Sequence, residues 1–140
     1  MMKKAIMLIM LFGTVLLFNA CNLDDGQNFR FTTLSIVDAQ VPEFFELNQR
    51  YSIEVTYIRP DACTFFEGFD VARTAQTDRD VVVIGSVLTD DTACAQLAEE
   101  VKASFDFNVL YSGEYHFRFY TGQDEEDNSE FLEFIIPVMD

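Results

Sequence analysis

The chain has 140 residues, 24 acidic side chains against 9 basic ones, a net charge of −15, 15 phenylalanines and no tryptophan. That length suits one domain and falls short of two. A field so negative repels nucleic acid and anionic lipid headgroups, and favours calcium, basic partner surfaces or plain solubility.

The first stretch reads as a removable address. Lys3 and Lys4 precede an apolar run from Ala5 to Phe18, and Phe18-Asn19-Ala20-Cys21 follows. A run of that length fits the core of a signal peptide and is short of the ~20 residues that span a bilayer. A small residue before a cysteine is the pattern of a bacterial lipoprotein signal. Residues 1–20 are therefore expected to be the signal peptide and Cys21 the acylated N-terminus; an ordinary secretory peptide or an uncut anchor is the alternative. Cleavage removes Lys3 and Lys4, so the mature charge becomes 7 − 24 = −17. Residues 21–28, polar and without periodicity, form a tether to a domain spanning 29–140. Asp24 and Asp25 resemble the acidic export tags of Bacteroidota-type lipoproteins, and a solvated linker explains them equally well.

Phe29 to Val37 is the first strand candidate, and Val41-Pro42-Glu43-Phe44-Phe45 an edge or crossover, because proline cannot serve a central ladder. Tyr51, Ile53, Val55 and Tyr57 alternate with polar residues, which is the period of a half-buried strand. Cys63 to Ala72 is a strand in which Gly68 marks a bulge or a close backbone approach. The β-branched run Val81 to Ile84 is another, with a second bulge expected at Gly85. Asp90 and Asp91 are placed to cap a short helix over Ala93 to Glu100, with Cys94, Leu97 and Val101 on one face. Val101, Ala103, Phe105, Phe107 and Val109 alternate cleanly. Gly113 makes a corner, after which Tyr115, Phe117 and Phe119 face inward and His116, Arg118 and Tyr120 outward. An acidic hairpin loop over 122–129 leads to a last strand, Phe131 to Val138, broken near its end by Pro137.

Cys63 and Cys94 remain as an even pair once Cys21 is acylated, which in an oxidising compartment implies a disulfide. Two buried free thiols are the alternative. The placement of Tyr115 just after a turn, one alternation before buried Phe117, resembles the tyrosine corner of immunoglobulin-like sandwiches. About seven antiparallel strands with almost no helix fit that all-β class. Arg59-Pro60-Asp61-Ala62-Cys63-Thr64-Phe65-Phe66-Glu67-Gly68-Phe69, Cys94, Gly113 to Phe119 and Phe131-Leu132-Glu133-Phe134 together resemble small uncharacterised lipoproteins of Bacteroidota-type bacteria. The resemblance implies a lipid anchor, one disulfide and a single sandwich domain, and it implies no activity.

Little points to catalysis. His116 is the single histidine, no G-x-S-x-G elbow is present, and Gly85-Ser86 falls inside a strand. No cofactor is expected, and zinc would need more ligands than one histidine supplies. Asp124, Glu126 and Asp127 are weak calcium candidates, lacking the alternating spacing that aims carboxylates inward. The outward row His116, Arg118 and Tyr120 is the candidate binding face, since arginine and tyrosine are enriched at interfaces. The alternative is cross-strand pairing, for example Arg118 with Glu133. The expectation is a lipid-anchored, non-enzymatic binding or assembly module at the bacterial outer membrane, facing the periplasm or the cell surface, with a protein or glycan partner. A calcium-dependent carbohydrate- or adhesion-type module is the second reading.

Overall fold

The structure is a computed structural model and describes residues 26–90 and 93–139. Nine strands run in order: β1 (Phe29–Leu34), β2 (Ile36–Gln40), β3 (Phe45–Glu46), β4 (Arg50–Asp61), β5 (Thr64–Arg73), β6 (Asp78–Leu88), β7 (Gln96–Asn108), β8 (Glu114–Gln123) and β9 (Ser129–Met139). They form a six-stranded sheet, in which β6 joins β1, β5 and β8 while β9 joins β8 and β3, and a three-stranded sheet ordered β2-β4-β7. No helix occurs among the described residues. The molecule is an all-β, two-sheet sandwich.

Alternation dictates the core. Ile53, Val55 and Tyr57 of β4, Phe107 of β7, Val81 and Val83 of β6, and Tyr115, Phe117 and Phe119 of β8 are all buried. Phe45, fully buried on the short β3, fills the space between the sheets against Phe107 (5.7 Å between ring centroids) and Tyr115 (5.6 Å). The Phe45–Tyr115 contact is edge to face, which suits the ring quadrupole and adds to what area burial contributes. The inward faces of the three clean alternations are therefore those expected.

The structure departs from the sequence reading in several places. The strand expected over 29–37 is two strands in different sheets, switching at Ser35, so that Leu34 and Ile36 can both reach the core. Nine strands replace about seven, and β3–β9 and β6–β8 are parallel pairs. The expected helix over 93–100 is instead β-strand from Gln96, where Glu99 and Glu100 pair with Arg59 and Ile58 of β4. A helix of two turns is marginal alone, and the long β4 offers this segment a ladder of backbone partners. Asp90 accordingly caps no helix: it accepts hydrogen bonds from Asn28, while Asp91 lies outside the described residues.

Gly85 carries no bulge. It pairs in register with both Thr32 and Phe66, and an added Cβ would lie 3.0 Å from Leu34 Cδ1 and from the Phe65 carbonyl. Close approach is the reason for glycine there. The bulge expected at Gly68 is present, between Phe66 and Gly68, with φ +152°. Pro137 does not break β9, which continues to Met139. Val138 N–H bonds the Gly113 carbonyl on the β8 side (3.0 Å). The N–H that Pro137 lacks would therefore point to the other edge, where β3 begins opposite Val138.

Candidate functional site: the outer face of the six-stranded sheet

Tyr115 anchors the strand that carries the candidate face. Its hydroxyl accepts hydrogen bonds from the backbone N–H of Leu110 (3.2 Å) and Tyr111 (3.1 Å), and Gly113 takes φ +110° in the turn between. That is the expected tyrosine corner, and it holds β8 at a fixed angle to the incoming chain. Tyr115→Phe leaves both N–H groups without this acceptor. We expect it to cost about 1–3 kcal/mol of stability in urea unfolding while the strand content stays unchanged.

His116, Arg118 and Tyr120 do stand in one row on the outer face, and each has a neighbour. Arg118 lies opposite Glu133 in the β8–β9 register, yet its guanidinium turns the other way and grips Asp80 of β6, with Nε and an NH2 nitrogen donating at 2.7 and 2.5 Å. The fork of two parallel bonds is the strong geometry for this pair. Hydrogen bonding to Asp80 holds the Arg118 pKa above the ordinary guanidinium value. Its guanidinium also covers the Phe131 ring at 4.5 Å. His116 Nε2 is 3.2 Å from Glu133 Oε2, and Tyr120 packs against Phe131 at 6.1 Å. Cross-strand pairing is thus what occupies His116 and Arg118 of the row. The His116–Glu133 pair stands on an open sheet face, with side chains 36% and 54% exposed.

Two residues the sequence did not single out shape this region. Asp80 is one; its link to Arg118 depends on a parallel pairing of strands 38 residues apart, which no local pattern announces. Arg79 is the other. It is buried, its guanidinium lies 5.5 and 5.6 Å from the Phe107 and Tyr115 ring centroids, and it donates to the carbonyls of Ala75, Gln76 and Asp78. It pins the β5–β6 turn against the core. Burial pushes its pKa down from the ordinary value.

The acidic loop is organised by its own first residue. Asp124 Oδ1 accepts from the backbone N–H groups of Glu126 (2.9 Å) and Asn128 (2.9 Å), and Asn128 Nδ2 lies 3.0 Å from Oδ2. These bonds, those from Asn128 first, hold the Asp124 carboxyl below the usual carboxylate range. A carboxyl whose folded pKa is depressed contributes stability above its unfolded value, about 4, and loses it as pH falls through the lower folded value. Amide shifts of Glu126 and Asn128 should therefore stay native-like on acidification to about pH 4 and move below it. In Asp124→Ala the same amides are displaced at every pH.

Cys63 and Cys94 form a disulfide, with Cα atoms 5.5 Å apart. Asp61, beside them, bonds the Cys63 N–H (2.9 Å) and the Thr64 hydroxyl (2.8 Å). Among the described residues these three, Asp61, Cys63 and Cys94, are the one group close enough to suggest metal ligation. The disulfide uses both thiols, so that group is structural. Ser86, the serine of the Gly-Ser pair, donates to Glu67 Oε1 at 2.5 Å.

Fold and site together define a disulfide-braced, two-sheet β-sandwich whose six-stranded sheet carries the Arg118–Asp80 ion pair on its outer face. A scan against protein-family models found no match, and searches of curated proteins and of solved structures found none.

Proposed function

We propose that this chain is a lipid-anchored, non-enzymatic module of the bacterial cell envelope, an immunoglobulin-like domain that serves binding or assembly at the outer membrane. The observation that carries the reading is the division of the three cysteines. Cys63 and Cys94 are paired with each other, as an exported domain would have them, and this leaves Cys21, directly after a small residue and an apolar leader, for acylation. Residues 1–25, which include the signal peptide, Cys21 and the acidic pair, lie outside the described residues. The immunoglobulin-like assignment is supported by the Tyr115 corner and by the two-sheet all-β architecture.

A protein or glycan partner would meet the outer sheet face at Tyr120, whose row-mates already hold Asp80 and Glu133. The calcium-dependent reading gains nothing from the loop, because Asp124 spends its oxygens on Glu126 and Asn128. Expression of the full chain in a bacterium fed a labelled fatty acid tests the anchor. Label should enter the wild type, vanish in Cys21→Ala and be blocked by a signal-peptidase II inhibitor. An unlabelled wild type with an intact leader overturns the proposal.

A further inference from the structure

The outer face of the six-stranded sheet changes character along its length. At one end lie the pairs His116–Glu133 and Arg118–Asp80. Tyr120 and Phe131 come next. At the other end the paired rows are Phe29 with Leu88, and Phe31 and Phe65 on either side of Ser86. Phe29, Phe31 and Phe65 are 55%, 66% and 45% exposed, and the first two rings meet edge to face at 5.4 Å. Residues directly opposite in register share a face, so three phenylalanines from two strands stand on one surface above buried Ser86. Exposed aromatic clusters of this kind mark contact surfaces.

What covers them follows from where the chain enters the domain. Asn28 is clamped to the end of β6: its N–H and side-chain amide bond the Asp90 carboxylate at 2.9, 3.0 and 3.1 Å, and its carbonyl accepts from Thr89 N–H at 2.9 Å. Hydrogen bonds from Asn28 also hold the Asp90 carboxyl below its usual range. The tether's exit is thereby fixed one residue from Phe29. Residues 22–28 are the seven that lead from Cys21 into the domain, a leash of at most about 25 Å when fully extended.

We propose that Phe29, Phe31 and Phe65 seat this end of the domain in the headgroup boundary of a zwitterionic bilayer, so that the sandwich lies against the membrane instead of swinging on its tether. The inference rests on the acyl anchor at Cys21. So short a leash keeps the patch at high effective concentration beside the lipid, and apolar side chains at that depth leave water as they do in interfacial helices. The Arg118–Asp80 ion pair and the His116–Glu133 contact sit at the end of the face away from the clamp. Glu67, bonded to Ser86, and Asp90 border the patch; with a net charge of −15 on the whole chain, they select against an anionic surface.

The absence of tryptophan gives a clean reporter. Full-length protein carrying Phe31→Trp, and separately Phe65→Trp on the far side of β6, is reconstituted in phosphatidylcholine vesicles with shallow-brominated acyl chains. Leu110→Trp, before β8 and away from the clamp, is the control. Both patch reporters should be blue-shifted and quenched several-fold more than the control. Quenching equal to the control in both overturns the proposal, as does a blue shift that grows with protein concentration without lipid, which indicates a second copy on the patch. The mass of the N-terminal peptide from the same sample reports the anchor separately. Acylated but unquenched protein removes the patch and leaves the anchor; unacylated but quenched protein removes the anchor and retains the patch's affinity for lipid.

Discussion

Phe117→Ala should destabilise the domain by about 3–5 kcal/mol, the range for deleting a core aromatic. Phe117 is fully buried and its ring lies 5.0 Å from Phe107, 6.0 Å from Phe119 and 6.1 Å from Phe45. Those neighbours come from β7, β8 and β3, which belong to both sheets. The void therefore opens where the two layers meet, and backbones held by ladders on every side cannot close it. Urea unfolding followed by circular dichroism measures the effect as a lower midpoint at unchanged slope. A loss below about 1 kcal/mol would show that the sheets repack freely and that the aromatic cluster is not what joins them. Phe117→Leu, which keeps more of the volume, should cost less.

Cys63→Ser with Cys94→Ser should cost about 3–4 kcal/mol. The bridge spans a sequence separation of 31, and in the chain-entropy model a loop of that length constrains the unfolded chain by about that amount. For a domain of this size the melting temperature falls by roughly 10–20 °C. The geometry adds a second reason for a large effect. Cys94 lies just before β7, and its bridge to Cys63 holds the first residues of that strand beside the end of β4. There the register shifts between Arg59 and Asp61, and Ala98 takes φ +47°, a left-handed conformation that costs a non-glycine residue about 1–2 kcal/mol. Without the bridge this irregular end should fray first. Hydrogen exchange of the amides from Gln96 to Glu100 should accelerate before that of Phe105 or Phe107. Equal exchange along β7 would contradict this order.

The two predictions act on different states of the chain. Phe117→Ala removes contacts from the folded sandwich, whereas loss of the bridge mainly enlarges the unfolded ensemble. Their effects should therefore be close to additive, because the sites share no partner.

The strands with clean alternation were legible before any coordinates. β4, β8 and the second half of β7 each present one apolar face, and a period of two has one physical meaning. The tyrosine corner was legible too, because a tyrosine just after a glycine turn has a backbone to reach. The segment after Cys94 was not. Ala93 to Glu100 carries helical spacing and poor β-propensity, and its conversion to strand comes from β4, whose extra length lies elsewhere in the chain. Arg118 shows the same limit in the site. Its outward direction follows from alternation, but its choice of Asp80 over Glu133 depends on which strand lies on the free side of β8.

Sequence alone settled the strand class of most of the chain and the faces that pack inward, because periodicity and turn chemistry are local properties. Tertiary structure decided the switch of sheets at Ser35, the parallel contacts of β6 with β8 and of β3 with β9, and the strand in place of a helix after Cys94. It also brought Phe29, Phe31 and Phe65 onto one surface beside the clamped start of the domain. Each of those depends on pairing between segments tens of residues apart, and a hydrogen-bond ladder takes its partner from whatever edge the rest of the fold leaves open.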